Sequence, residues 1–274
     1  MKYQIVVDSS SDLSKDYLKD SDIGFDVVPL SILIGEKEFV DNEHLQVSEM
    51  LDTFYKANCK TSTACPSPQA FADTFDRAEH TFIVTITSQL SGCYNSAVVA
   101  SKENKNVYVV DSKSVSGSMI LIVDKLVELI HQGLEFEEII KKIEEYRASC
   151  KLLFVLQNFD NLVANGRMSK IAGFVAKKLA IKAVSRATDE GVIQVISKVI
   201  GTNNAYKKLV ELMPIYADDM EGRRVIISHC NNQNDAEQLR QMILDKYAVA
   251  SVEIRDMRGL TSYYAMEKGI IVCF

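Results

Sequence analysis

The sequence predicts an α/β protein of two domains. The first, over residues 1–151, is a parallel-sheet, three-layer α/β/α domain; the second, over residues 152–274, is an α/β domain with a mixed sheet. Three observations predict this. First, apolar runs lead into hydroxyl-rich turns at three places: Tyr3 to Val7 into Asp8-Ser9-Ser10-Ser11-Asp12, Phe82 to Ile86 into Ser88 to Ser91, and Val107 to Val110 into Asp111-Ser112-Lys113-Ser114. Such short, β-branched runs read as strands buried on both faces of a parallel sheet. Second, Asp189-Glu190-Gly191 between two extended runs is a hairpin signal, so the second half mixes antiparallel pairing with αβ units. Third, 274 residues that are 47% hydrophobic and 25% charged carry enough apolar surface for two domains.

Along the chain, Tyr3 to Val7 is the first strand, and Ser14 to Ser21 reads as a helix with Leu13, Tyr17 and Leu18 as its apolar residues. Asp26 to Ile34 is extended and turns at Gly35-Glu36-Lys37 into Glu38-Phe39-Val40, a small hairpin excursion near residues 26–40. Ser48 is placed to cap a helix with Met50, Leu51, Phe54 and Tyr55 at helical spacing. Thr63 is read as lying in a loop. Ser67-Pro68 then starts a helix, a capping hydroxyl followed by proline at the first helical position.

Phe82 to Ile86 is a strand, and a helix follows Gly92. Ser114 to Ile130 begins in hydroxyls and Gly117, then becomes an amphipathic helix on Met119, Ile122, Val123, Leu126 and Leu129, stopped by Gly133. Phe136, Ile139, Ile140 and Ile143 mark the next helix, whose Glu and Lys residues form a solvated face. In the second half, Leu152 to Leu156 is apolar and Asn165 to Lys170 is a polar turn with one arginine. Lys182 to Thr188 and Val192 to Ile200 are the hairpin arms, and Thr202 to Tyr216 is helical until Pro214 disturbs it. Arg224 to Ser228, Ser251 to Asp256 and Ile270 to Phe274 are strands, with a helix over Asp235 to Tyr247.

Several function classes lose support at this stage. A net charge of −6 gives no electrostatic footprint for nucleic acid. The longest apolar stretch, Met119 to Ile130, is interrupted by Asp124, Lys125 and Glu128 and is too short and charged to span a bilayer. Lys2 runs straight into a strand and does not open a signal peptide, so the six cysteines, with no CxxC pair, read as reduced thiols of a cytoplasmic protein. His44, His80, His131 and His229 have no metal-ligand spacing. There is no Walker loop and no GxGxxG, so no cofactor is implied. A serine hydrolase would use Ser91 or His229, but Gly-x-Ser-x-Gly is missing. What remains is a rim of hydroxyls beside helix N-termini, suited to holding a carboxylate or phosphate. In an open α/β sheet, ligands bind at this carboxyl edge of the strands.

Five pieces in order resemble the DegV family of bacterial lipid-binding proteins. They are Asp8-Ser9-Ser10-Ser11-Asp12-Leu13, Thr63-Ala64-Cys65-Pro66-Ser67-Pro68, Leu90-Ser91-Gly92-Cys93-Tyr94-Asn95-Ser96-Ala97, Asp111-Ser112-Lys113-Ser114 and Gly166-Arg167-Met168-Ser169. The resemblance implies a protein that binds one long-chain fatty acid between its domains, with the carboxylate on loop hydroxyls and no catalytic activity of its own. It also implies, for some members, presentation of the fatty acid to a separate ATP-binding fatty acid kinase subunit. The ligand-binding positions it implies are Thr63, Ser91, Gly92, Ser114, Arg167 and Tyr264. Tyr264 stands where the family has the histidine of His-x-Gly-Pro-Gly, and Asn165 replaces a glycine of the family's Gly-Gly-Arg turn. Ala64 and Cys65 replace Ser-Gln, and Cys93 replaces threonine. Leu152, Phe154, Phe159, Phe174, Val175 and Leu179 are the residues expected to line an acyl cavity. Beside this reading stand a hydrolase on Ser91 or His229, and a regulatory or interaction protein without a ligand.

Overall fold

The structure, a computed structural model, describes residues 1–20, 22–169 and 181–274. Its first sheet is all parallel, in the order β2-β1-β6-β7. These strands are β1 (Tyr3–Asp8), β2 (Ile23–Val28), β6 (His80–Thr85) and β7 (Val107–Asp111). A three-stranded antiparallel sheet stands apart from it: β4 (Lys37–Val40), β3 (Ser31–Ile34) and β5 (Thr61–Ala64). The second sheet is mixed, in the order β10-β9-β8-β13-β11-β12, with only β11 and β12 parallel. Its strands are β8 (Leu152–Val155), β9 (Ile181–Ala187), β10 (Ile193–Ile200), β11 (Arg224–His229), β12 (Ser251–Asp256) and β13 (Ile270–Cys273).

Alternation along the strands sorts the core. Val6 and Ile83 pack under the helices α2 (Pro68–Ala72) and α3 (Cys93–Ser101) through Phe71 and Ala97. Ile5, Val7, Phe82 and Val84 face the other way, into the largest apolar cluster. That cluster holds the helix α4 (Gly117–His131) and also Phe154, Ile226 and Ile271 of the second sheet. The far face of the second sheet, with Leu153, Val155 and Val225, packs on α7 (Thr202–Ala217) and α8 (Gln233–Lys246).

Helix α4 therefore lies between the two sheets, and its residues Gly117 to Val123 are all buried. Its first two turns are thus buried on every side, while its second half keeps the apolar face expected from the sequence, with Leu126 and Leu129 buried and Glu128 exposed. Gly117 makes the approach to the second sheet: a Cβ there would meet Ile226 Cγ2 at 2.9 Å and Cys273 Cβ at 3.1 Å.

Other expectations are corrected. Residues 14–20 form no helix. Asp8 caps a 3₁₀ turn over Ser9–Ser11 that ends at Asp12 in the left-handed region, and Tyr17 then turns inward to donate to Asp124 at 2.7 Å. A charged stretch this short cannot sustain a helix against those tertiary contacts. Ser48 lies inside α1 (Val47–Lys56) and Gln46 is its N-cap, without a side-chain hydrogen bond. Ser67 does cap α2, accepting from Ala70 N at 3.2 Å with Pro68 at the first position. Thr63 belongs to a strand, β5. A short helix, α9 (Gly259–Ala265), follows β12 where the sequence shows no periodicity.

Pro214 does not end α7, which continues to Ala217. Proline has no N–H for the carbonyl four residues back, here that of buried Val210. The Tyr247 hydroxyl donates to that carbonyl at 2.7 Å instead. Tyr247→Phe should therefore cost about 1–2 kcal/mol of stability, the penalty of an unpaired buried carbonyl. In a Pro214→Ala background, where residue 214 regains an N–H, the same change should cost clearly less. Urea unfolding of the four proteins of this double-mutant cycle checks it, and equal costs in both backgrounds would contradict the assignment.

Candidate functional site

Between the two sheets lies a cavity that encloses, with its mouth, about 830 Å³. Its two walls differ. Leu152, Phe154, Leu156, Ala187, Ile193 and Ile271 make the wall of the second sheet. The opposite side is also largely apolar, with Leu30, Ile86, Leu90, Val115, Leu162 and Leu260, and among these Thr63, Thr87, Ser91, Ser114, Arg167, Thr261 and Tyr264 bring the polar atoms, from β5, the loops after β6 and β7, the turn after α6 (Asp160–Ala164), and α9. Among the described residues Arg167 is the one charged side chain on the lining, and no histidine reaches it.

Five of the six positions named from the sequence are thus brought to one cavity. Thr63 Oγ1 and Tyr264 Oη lie 2.9 Å apart, hydroxyl to hydroxyl. Arg167 donates from Nε to the carbonyl of Leu90 at 3.1 Å and so lies against the residue before Ser91. The Ser91 hydroxyl donates to Cys93 Sγ at 3.2 Å and accepts from Cys93 N at 3.3 Å. Ser114 accepts on its carbonyl from Thr87 N at 2.9 Å, which ties it to the same loop. Its side-chain oxygen is buried and has no hydrogen-bond partner among the described residues. The sixth position, Gly92, is exposed at the N-terminal boundary of α3, off the lining; a Cβ there would stand 3.0 Å from Cys65 Sγ.

Of the expected acyl-lining residues, Leu152 and Phe154 are on the wall, and Phe159 is core, its ring 6.2 Å from that of Phe154. Phe174, Val175 and Leu179 lie outside the described residues. The sequence reading missed Thr87 and Thr261 as lining hydroxyls. Thr87 sits in the hydroxyl-rich turn after β6 and was open to recognition there, whereas Thr261 depends on α9, which has no sequence signal.

The geometry gives no support to hydrolysis. Ser91 faces a thiol that burial pushes far above its usual pKa, which is no base. His229 is buried away from the apolar cavity, with Nε2 2.7 Å from Gln233 Oε1, on a separate polar hollow with Asn232, Asp256 and Lys268.

Tyr264 and Thr261 are held in place by α9, whose N-terminus rests on two carboxylates of the first half. Asp41 accepts from Gly259 N at 3.0 Å and Leu260 N at 2.9 Å. Asp12 accepts from Arg258 N at 2.7 Å and from the hydroxyls of Thr261 and Ser116. Burial pushes Asp12 up to about 6, with the Ser116 and Thr261 hydroxyls and Arg258 N pulling against it; burial raises Asp41 as well. Burial likewise pushes Asp8 up to about 6 against its bonds from Ser10 and Ile86 N.

Two α/β sheets enclosing an apolar cavity with a few hydroxyls and one arginine on one side define a binding protein for an amphiphilic small molecule. The chain belongs to the DegV family: the family model described as "Uncharacterised protein, DegV family" matches residues 2–273. A DegV domain-containing protein of Streptococcus pyogenes is 36% identical over 278 residues, covering 99% of this chain and 99% of the relative. Among solved structures, the Streptococcus pneumoniae fatty acid kinase (Fak) B3 protein loaded with linoleic acid superposes with a TM-score of 0.94 at 34% identity, covering 100% of this chain and 99% of that one. A DegV family protein of Eubacterium eligens loaded with heptadecanoic acid gives 0.91 at 33%, covering 99% and 98%.

The Asp12 shift has a sign that can be tested. Its folded pKa of about 6 is above the unfolded value, about 3.9. Between those values the folded chain holds more protons than the unfolded one, so this group adds stability as pH falls from about 6 towards about 4. Asp12→Asn removes that dependence. The stability of the native protein relative to Asp12→Asn should therefore be lowest above pH 6 and grow on acidification, read from urea midpoints at pH 7.5, 6 and 5. A gap that shrinks on acidification would contradict it.

Proposed function

We propose that this protein binds one long-chain fatty acid in the cavity between its sheets, with the carboxylate on the hydroxyls of Thr63, Ser91, Ser114 and Tyr264 beside Arg167. The observation that carries the reading is the cavity itself: apolar surface for a tail, with a cluster of hydroxyls on one side, of which Ser114 Oγ is buried and has no hydrogen-bond partner among the described residues. A buried hydroxyl without a partner costs about 1–3 kcal/mol, a cost that an accepting carboxylate oxygen relieves. Each buried methylene contributes about 0.8 kcal/mol, so a long acyl chain supplies on the order of 10 kcal/mol before ordering costs. Relatives of the same fold described as loaded with linoleic and heptadecanoic acids support the same ligand class.

The native mass of the purified protein should exceed its denatured mass by that of one fatty acid. Delipidated protein given palmitate at a hundredfold excess over Kd should gain roughly 2.7 kcal/mol of stability. An empty protein that palmitate does not stabilise would refute the reading. Ser114→Ala separates binding from folding. It should leave the empty protein as stable as before or more so, because an unpaired hydroxyl is removed, and weaken palmitate binding roughly tenfold, as should Thr63→Val. Unchanged affinity in both variants, by calorimetry, would place the carboxylate elsewhere.

Similarity to a fatty acid kinase B protein supports a second role, delivery of the bound acid to an ATP-dependent kinase subunit. Such a partner would be met in the cytoplasm, in keeping with six free cysteines. Tyr264 sets a limit on that role. Burial raises its phenol above the usual value, against the pull of the Thr63 hydroxyl, so it stays neutral and donates a hydrogen bond without supplying charge to a transferring phosphoryl group. Acyl phosphate formation with a kinase subunit, ATP and Mg²⁺ should therefore be slow for the native protein, and Tyr264→His should raise it. Fast native turnover would show that another group does this work.

A further inference from the structure

We propose that Asn165 is a positioning residue that sets the geometry of the carboxylate site from outside it; the proposal rests on the fatty-acid reading above. Asn165 does not line the cavity. The two N–H groups of its side-chain amide reach three acceptors, Tyr263 Oη at 3.1 Å, the Asn161 carbonyl at 3.0 Å and Asn161 Oδ1 at 2.8 Å, one N–H being shared. Asn161 in turn donates from Nδ2 to the Tyr263 carbonyl at 2.6 Å. The two asparagines, one turn apart, thus grip Tyr263 at its hydroxyl and at its backbone.

Two branches lead from this grip to the ligand hydroxyls. Tyr263 Oη lies 2.6 Å from Thr61 Oγ1 on β5, two residues before Thr63 on the same strand face. The Tyr263 ring meets that of Tyr264 edge-on, with centroids 4.9 Å apart and planes at 74°, so the place of Tyr263 fixes that of the next ring. The second branch leaves from the main chain. The carbonyl of Asn165 accepts from Arg167 Nη1, and Arg167 Nε reaches the Leu90 carbonyl beside Ser91. One side chain therefore anchors the turn that aims Arg167 and, through Tyr263, the rungs that carry Thr63 and Tyr264. Tyr263 is fully buried and its ring also packs on Phe54 at 5.4 Å, so the ring stays in place without its hydroxyl.

The test compares palmitate with methyl palmitate on the full chain, in the native protein, Asn165→Ala, Tyr263→Phe and the double variant. The ester keeps the tail and removes the anionic head. A residue that only supports the fold or the tail wall would alter both affinities alike. A residue that positions the head-group donors alters the acid alone. Asn165→Ala should weaken palmitate by roughly three- to tenfold, the range for one lost hydrogen bond, with methyl palmitate within about twofold. Tyr263→Phe should show the same split, and the double variant should lose little more than the weaker single variant, because both changes break one pathway. Tyr263→Phe carries the test by itself if Asn165→Ala does not fold. Equal losses for acid and ester, additive losses, or unchanged palmitate binding would each overturn the proposal. A native protein that binds neither compound would instead overturn the fatty-acid reading on which it rests.

Discussion

The site depends on a charge placed at a helix end. Helix α9 has seven residues, too few to persist alone, and its first N–H groups have no partner within the helix. Asp12 and Asp41 supply the partners, from segments more than two hundred residues earlier in the chain. A carboxylate at this end also meets the positive pole of the helix. The exchange is mutual, since a buried carboxylate is costly unless donors surround it. Gly259 makes the contact close enough, for a Cβ there would stand 2.5 Å from Asp41 Oδ1. Thr261 and Tyr264 then stand on the cavity wall as a consequence of where α9 is pinned.

The same dependence explains what was legible in the sequence. Strands β1, β6 and β7 of the first sheet could be read because each has an apolar run, whereas β2, Ile-Gly-Phe-Asp-Val-Val, is broken by Gly24 and Asp26 and reads with β3 as one extended run from Asp26 to Ile34. The β9–β10 hairpin could be read because Asp189-Glu190-Gly191 requires a residue at positive φ, found at Gly191 with φ +88°. The hydroxyl loops could be read because their composition breaks from the strands before them. Helix α9 could not: Gly-Leu-Thr-Ser-Tyr-Tyr-Ala is buried almost throughout, so it has no amphipathic period, and its caps come from distant carboxylates. Strand β5, Thr-Ser-Thr-Ala, looks like a loop because its partner β3 pairs with it across a helix and some thirty residues. Tertiary contacts overrode local propensity in both, as they did at Pro214, where a distant tyrosine completes the helix.

The two walls divide the energetic work. The aliphatic wall gives affinity without direction, because hydrophobic burial is proportional to area and not to orientation. Direction has to come from the hydroxyls, whose pairing demands distance and angle. The donors are neutral apart from Arg167, the one charged side chain on the lining among the described residues. A hydroxyl stabilises a carboxylate less than a buried ammonium would, and its own desolvation cost is met in the empty protein by neighbours such as the Thr63–Tyr264 pair. Ser114 is the exception among the lining hydroxyls, its oxygen having no hydrogen-bond partner among the described residues.

Enclosing such a cavity constrains how the halves associate. The chain passes from the elements of the first sheet to those of the second between α5 (Phe136–Ser149) and β8, yet the main apolar cluster contains Val7 and Phe82 together with Phe154 and Ile271. Helix α4 lies between the sheets and gives each of them part of its core, with Gly117 set against Ile226 and Cys273. At another point the β9–β10 turn closes on the first half, where Thr87 Oγ1 donates to the Gly191 carbonyl at 3.2 Å and any side chain at Gly191 would strike Thr87. Separating the halves to admit a tail would therefore expose the α4 surface and break the Asp12 and Asp41 bonds together. Such an opening costs far more than the movement of one turn or one loop. A ligand is better admitted by local movement of the wall, with α4 and α9 keeping the two sheets in register.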